Sequence, residues 1–312
     1  MTYHKRPLLS AHTLADESER QVDKRKSQLS DLIIRVLRQH PRLSYFQGYH
    51  DVAQVFLLVL GTEYAPRALA HLSLLQIRDF MLPTLSPSVA QLNMLPSILQ
   101  AVDLKLYQHL SATQPFFALS ATLTMYAHDI QNYGEIARLF DFLIAHPAVV
   151  SLYFFAIIIL SRREELFETP ADDAAMLHSI LSKLPKPLNL EGLIQETKRT
   201  FAEHPPESLP NWAWWKISSF SALKSTRWGL GNQTLAEGEQ LFEAQARQLS
   251  RQETRRRIMT KTWQHRGALM HTTIAICIVA FSYWIGQRTG VEPRLIQRMR
   301  NIWKPTHWLP MY

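Results

Sequence analysis

The residues with the most chemical potential stand together in one short stretch, Tyr45-Phe46-Gln47-Gly48-Tyr49-His50-Asp51. A glutamine in a loop says little by itself. Beside a glycine, and between a helix stopped by Pro41 and a helix started by Asp51, Gln47 becomes a side chain that can be presented, because Gly48 lets the backbone approach another surface closely. The adjacent His50 and Asp51 invite a hydrolase reading. Neighbouring residues at a helix start are expected to point apart, and no nucleophile or metal set accompanies them, so that reading is set aside. The single cysteine, Cys277, permits no disulfide within the chain, and no zinc-ligand spacing occurs. A reducing compartment is expected for the domain.

The elements that must hold this loop are helices. From 28 to 40, Leu29, Leu32, Ile33, Val36 and Leu37 fall on one helical face, and Pro41 ends it. A second helix is expected at about 51–60, its Asp51 suited to the positive helix end. Further helices are expected at about 64–80, 88–110, 115–129, 133–145, 148–167, 172–182 and 190–202, with prolines at the joints. No apolar/polar alternation runs long enough for a sheet, so the fold class is all-α. Past Pro206 the pattern loosens. Trp212, Trp214 and Trp215 either cap the core or touch a membrane surface or partner. Gly229, Gly231 and Gly238 mark a flexible joint before a polar, basic helix at about 235–262.

The net charge of +8 suggests nucleic acid until its distribution is considered. From Glu243 onward the balance is +9, while the preceding part holds 22 basic and 23 acidic residues. The domain is therefore near neutral and has no basic patch with interleaved aromatics, so a nucleic-acid partner is not expected. The basic excess flanks residues 267–286, GALMHTTIAICIVAFSYWIG, which contain no Lys, Arg, Asp or Glu. Twenty helical residues span roughly 30 Å, the hydrocarbon thickness of a bilayer. A transmembrane helix is expected there, with Tyr283 and Trp284 near one interface. The equally apolar run at 148–160 is only thirteen residues and reads as a buried core helix. Seven basic residues before the span against five after it, and the absence of an apolar signal-peptide core at residues 1–10, put the domain on the cytosolic side. After the span, Arg294 to Trp303 has the spacing of a short amphipathic helix; a head-group-bound helix and a solvated tail both remain open.

The segment HPRLSYFQGYHDVAQVFLLVLG (residues 40–61) resembles the signature Tyr-x-Gln-Gly-x-x-Asp of the TBC family of Rab GTPase activators. The branch it resembles most is the membrane-anchored one that acts in the early secretory pathway. The similarity continues through LQIRDFMLPTL (75–85), IARLFDFLIAHP (136–147) and LYFFAIIILSRREEL (152–166), to about residue 209. The resemblance implies an activator that works in trans on a GTP-bound Rab, with no metal or cofactor of its own. In such a mechanism a loop glutamine aligns the attacking water and an arginine from an upstream Ile-x-x-Asp-x-x-Arg motif neutralises phosphoryl charge. By motif match the water-positioning residue is Gln47. Tyr45, Gly48 and Asp51 shape its loop, and Arg138 and Asp141 are structural or GTPase-contacting.

One part of that pattern is not matched. Before Gln47, Asp16 is followed three positions on by Glu19, Asp23 by Lys26 and Asp31 by Ile34, and Arg20 is one position out of step with Asp16. Two readings follow: a truncated form of an active protein, or a catalytically weak Rab-binding membrane scaffold. The expected organisation is an N-terminal segment without the finger (1–27), a TBC-like domain (28–209), a Trp-rich and juxtamembrane segment (210–266), the span (267–286) and a basic tail (287–312). A single-pass protein of the endoplasmic reticulum or Golgi membrane is implied, acting in vesicle transport.

Overall fold

The computed structural model describes residues 11–226, 233–264 and 266–289. All the regular elements among them are helical, as the periodicity requires. The expectations placed on residues 1–10 and on the tail after the span, like Gly229 and Gly231, lie outside the described residues. The helices run in chain order: α1 (Ala11–Gln39), α2 (Tyr49–Leu75), α3 (Ser86–Leu92), α4 (Leu95–Val102), α5 (Leu104–His109), α6 (Leu119–Leu123), α7 (Tyr133–Ala145), α8 (Val150–Ser161), α9 (Arg163–Glu168), α10 (Ala174–Leu181), α11 (Leu190–Glu203), α12 (Ala213–Lys216), α13 (Ala222–Ser225), α14 (Leu235–Gln264) and α15 (Arg266–Thr289). Short 3-10 turns join several of them.

The face expected on the first helix is the one that packs. Leu32 and Val36 are buried and Leu29, Ile33 and Leu37 half-buried, where α1 lies along α2. The two helices expected at 51–60 and 64–80 form one kinked element, because Gly61 takes a positive φ of 68° that a helix cannot hold. The run at 88–110 breaks into α3, α4 and α5. Pro96 opens α4, and Asp103, in extended conformation, accepts from Leu106 N at 3.0 Å to cap α5. Helix α8 is the centre of the domain. Every residue from Leu152 to Ile159 is buried, and α4, α6 and α11 pack around it. Its apolar run is a core helix, as its length implied.

Two compact units divide the chain, residues 1–247 and 248–312. The first extends beyond 209, the boundary expected from sequence. Trp214 and Leu223 are buried in it, and so is Phe242 in the first turns of α14. There, Gly238 is no joint: it lies inside α14, and a Cβ built on it would stand 2.9 Å from Leu74 Cβ. The glycine is needed for close helix contact. His40 and Arg42, at the end of α1, pair with Glu239 and Glu243 of the same stretch of α14. In the second unit α15 is a helix with exposed Ile276, Val279, Phe281 and Trp284. Among the described residues, no helix is long and apolar enough to cross a membrane.

Candidate functional site

The loop between α1 and α2 is fixed at several points. Leu43 is buried, and Ser44 N donates to Met81 O at 2.9 Å. The Phe46 ring packs edge-on against Tyr49 and Phe80, with centroids 5.5 and 6.3 Å apart. Tyr49 is buried, and its hydroxyl lies 2.7 Å from Ser73 Oγ. Because Ser73 spends its one proton on Leu69 O, Tyr49 must be the donor. Burial pushes the Tyr49 hydroxyl far above its ordinary pKa, so it stays a proton-bearing donor.

Gly48 is the pivot of the loop. Its φ of 104° is one that an L side chain rarely adopts, and a Cβ there would meet Thr124 Cγ2 at 2.6 Å. The close approach expected of this glycine is thus made to the chain's own turn after α6. That turn is strained, since Met125 and Tyr126 both have positive φ. It is held by the fully buried Tyr126, whose hydroxyl donates to Ser151 O at 2.7 Å.

Next to this pivot Gln47 is exposed, and its side chain makes no hydrogen bond to another described residue. Asp51, in the first turn of α2, lies between two imidazoles: His128 Nδ1 is 3.2 Å from one carboxylate oxygen and His50 Nε2 is 3.5 Å from the other. His50 and Asp51 therefore approach each other, contrary to the expectation that they point apart. Tyr45 hydroxyl reaches His50 Nδ1 at 3.1 Å and closes the chain of contacts. Asp129 sits beside this group. Burial raises its pKa, His128 opposes the shift and Asp51 adds to it, and one carboxylate oxygen is buried without a partner. Tyr45 and Asp51 are thus linked through His50 in the loop that carries Gly48 and Gln47, while Arg138 and Asp141 are exposed on α7. Arg138 pairs with Glu191 of α11 at 3.1 Å. Among the described residues no group of His, Cys, Asp and Glu is arranged to hold a metal ion.

Sequence reasoning missed His128 and Thr124, which reach the loop from more than seventy residues away. It also missed a second polar cluster at the other end of α2. Arg78 and Asp79 are both buried in the 3-10 turn after that helix. The Asp79 carboxylate accepts from Gln91 Nε2 (2.6 Å), Ala222 N (3.1 Å), Gln245 Nε2 (2.8 Å) and Ser221 Oγ. Arg78 donates to Gln245 Oε1 (3.2 Å), Leu74 O (2.8 Å), Phe220 O and Ser225 Oγ. The Gln245 amide thus joins the two charges. Burial lowers the Arg78 pKa to about 10, against the opposing pull of Asp79, and the guanidinium stays charged at neutral pH. An adjacent Arg-Asp pair inside the apolar stretch LQIRDFMLPTL was the available signal.

Among the described residues the domain is all-helical, with a clamped glycine turn beside an exposed glutamine. The family model of the Rab-GTPase-TBC domain matches residues 10–167, and the chain belongs to that family. It is 39% identical over 207 residues to the GTPase-activating protein gyp10 of Schizosaccharomyces pombe, covering 65% of this chain and 55% of the relative. It is 34% identical over 193 residues to the TBC1 domain family member 20 of Homo sapiens, covering 61% and 48%. With the GTPase-activating protein GYP8 of Saccharomyces cerevisiae it shares 32% identity over 126 residues, 33% of this chain and 25% of the relative. The chain spans about half the length of the first two relatives.

Proposed function

We propose that the chain stimulates GTP hydrolysis on a GTP-bound Rab of the early secretory pathway, with Gln47 positioning the hydrolytic water. The observation that carries this reading is the exposed, unengaged amide of Gln47 on a backbone that Gly48 and the loop contacts hold in place. Phosphoryl transfer depends on positioning and on electrostatic stabilisation, and an amide that both donates and accepts suits a water that must be aimed. Arg138 and Asp141 serve as secondary contacts to the GTPase from α7. The names of the similar GTPase-activating proteins support the same class of activity.

The reading includes an anchor carried by the sequence: although no described helix is by itself long and apolar enough to cross a membrane, residues 267–286 insert in a membrane of the endoplasmic reticulum or Golgi, with the domain on the cytosolic side. Its support is the run of twenty residues without Lys, Arg, Asp or Glu, and the exposed apolar side chains of the described part of the helix. The test is single-turnover GTP hydrolysis by a panel of Rabs with the full chain in vesicles. Stimulation of a Rab by the parent, lost in Gln47→Ala, is the expected result. A Rab stimulated equally by both would sink the role given to Gln47. Flotation with the vesicles checks the anchor separately.

The second reading, a weak activator or Rab-binding scaffold, is favoured by one observation: no Asp upstream of Gln47 has Arg three positions on. An arginine finger contributes about 10³–10⁵ in rate. Fusing an Ile-x-x-Asp-x-x-Arg segment upstream of this chain is expected to raise stimulation by a comparable factor. Strong stimulation without it would mean that another arginine does the work, and Arg6, Arg20 and Arg138 would be the first to substitute.

A further inference from the structure

The three tryptophans after Pro206 divide into two kinds. Trp214 is 3% exposed and caps the core, while Trp212 and Trp215 are 73% and 60% exposed. Trp212 caps the start of α12 from a left-handed backbone position and Trp215 lies within the helix; both rings are exposed, while Trp214 between them is buried. The backbone that presents Trp212 is unusual. Asn211 and Trp212 have φ of 61° and 57°, a left-handed conformation disfavoured for a residue as bulky as tryptophan. In the other such pair, Met125 and Tyr126, the strained residues bury an aromatic ring in the core. Here the strain sends the ring into solvent. Asn211 Nδ2 donates to Gln100 Oε1 of α4 at 2.6 Å and fixes the turn.

The charged side chains nearest in sequence to these rings are basic, with Glu207 in the 3-10 turn packed against α12. Lys216 is exposed next to Trp215, and Lys224 Nζ lies 5.1 and 5.7 Å from the ring centroids of Trp214 and Trp215. Between Glu207 and Glu237 the sequence contains no Asp or Glu, but does contain Lys216, Lys224 and Arg227. Indole rings combine an apolar body with a polar N–H and favour the membrane–water boundary, and lysines beside them are drawn to anionic head groups. We propose that Trp212, Trp215 and Lys216 form a membrane-contacting face that seats the domain in the head-group layer of an anionic bilayer. This rests on the anchor reading above and adds a second point of attachment, on the domain itself.

The test uses the full chain carrying Cys277→Ser and Ser219→Cys, labelled at the exposed position 219 with an environment-sensitive fluorophore. It is reconstituted in phosphatidylcholine vesicles with and without phosphatidylserine. With phosphatidylserine present, the emission is expected to shift toward that of an apolar surrounding. Trp212→Ala with Trp215→Ala should return it to the value in water, with helical circular dichroism and flotation unchanged. Lys216→Gln should lower the ratio of docked to undocked label roughly fivefold, the contribution of one charge near an anionic surface. A chain that floats while its label stays water-like overturns the inference and leaves the anchor standing, with a protein partner as the occupant of this face. A shift that survives loss of both tryptophans overturns it as well. A chain that does not float overturns the anchor reading and this inference together.

Discussion

The two ends of α2 carry the two principal polar clusters of the domain, built to opposite rules. At the first end the Gln47 loop is clamped from below by Gly48 and Tyr49, yet its amide faces water with nothing to bind. At the second end Arg78 and Asp79 are shut away from water and matched by partners from α3, the 213–226 stretch and α14. One cluster spends its hydrogen-bonding capacity on the fold; in the other the Gln47 amide is left exposed beside side chains that pair with one another. The difference teaches how to tell them apart in a helical domain: a satisfied buried charge is architecture, and an unsatisfied exposed amide on a rigid backbone is a candidate for function.

Substitution should separate them, and the largest effect is expected at the buried end. Asp79→Ala leaves the Arg78 guanidinium buried without its counter-charge, a change that typically costs about 3–5 kcal/mol. Chemical denaturation should show that loss, with release of the 220–226 stretch and the first turns of α14 visible as faster amide exchange. A loss below about 1 kcal/mol would mean that water enters the cluster and Gln245 alone does not seal it.

Gln47→Ala should do the reverse. Stability should hold, because no fold contact is removed, while stimulated hydrolysis falls on the order of 10²-fold, the size of effect a single preorganised polar group supplies. Unfolding at lower denaturant would place Gln47 among the architectural residues and break the contrast.

Gly48→Ala tests the support under the exposed amide. The conformation costs an L residue roughly 1–2 kcal/mol, and the new methyl meets Thr124 Cγ2. Thr124→Ser removes that methyl while keeping a hydroxyl for Ser120 O. Adding Thr124→Ser to Gly48→Ala is therefore expected to recover the steric part of the loss and leave the conformational part. Full recovery would mean that the backbone angle carries no strain.

Legibility from sequence followed the range of the contacts. The face of α1, the buried α8 and the Gln47 loop were readable because each is written in neighbouring residues. The breaks at Pro96 and Asp103 were also local, and a stricter reading of cap residues would have divided 88–110 correctly. Gly238 was not readable as a packing residue. A glycine in a polar stretch signals a joint, and only the distant Leu74 reveals why a side chain is excluded. Gln245 and His128 were invisible for the same reason. Each is an ordinary polar residue on a helix or turn, and its role exists only through Asp79 in one case and Asp51 in the other. His50 and Asp51 were misjudged because neighbouring side chains at a helix start can still converge when a third group, here Tyr45, holds one of them.

The smallest expected effect lies where the contrast is least clean, at Asp129. This carboxylate is half-buried beside the exposed cluster, with one oxygen unpartnered, and its pKa is raised chiefly by burial. The folded state therefore holds the Asp129 proton more tightly than the unfolded chain does. Ionising the group works against the fold, and stability is lost as pH rises from the ordinary aspartate value of 3.8 through the raised one. A neutral amide in its place has no charge to bury, so Asp129→Asn should be the more stable protein at pH 7. Its advantage should shrink as the pH is lowered through that window and the parent becomes protonated. Urea denaturation of both proteins at several pH values measures the difference directly. A gain that stays constant down to acid pH would point to a better hydrogen bond from the amide, with no contribution from the buried charge. A loss at pH 7 would mean that the carboxylate is needed opposite His128, making Asp129 part of the architecture of the loop and not a cost of holding Gln47 in place.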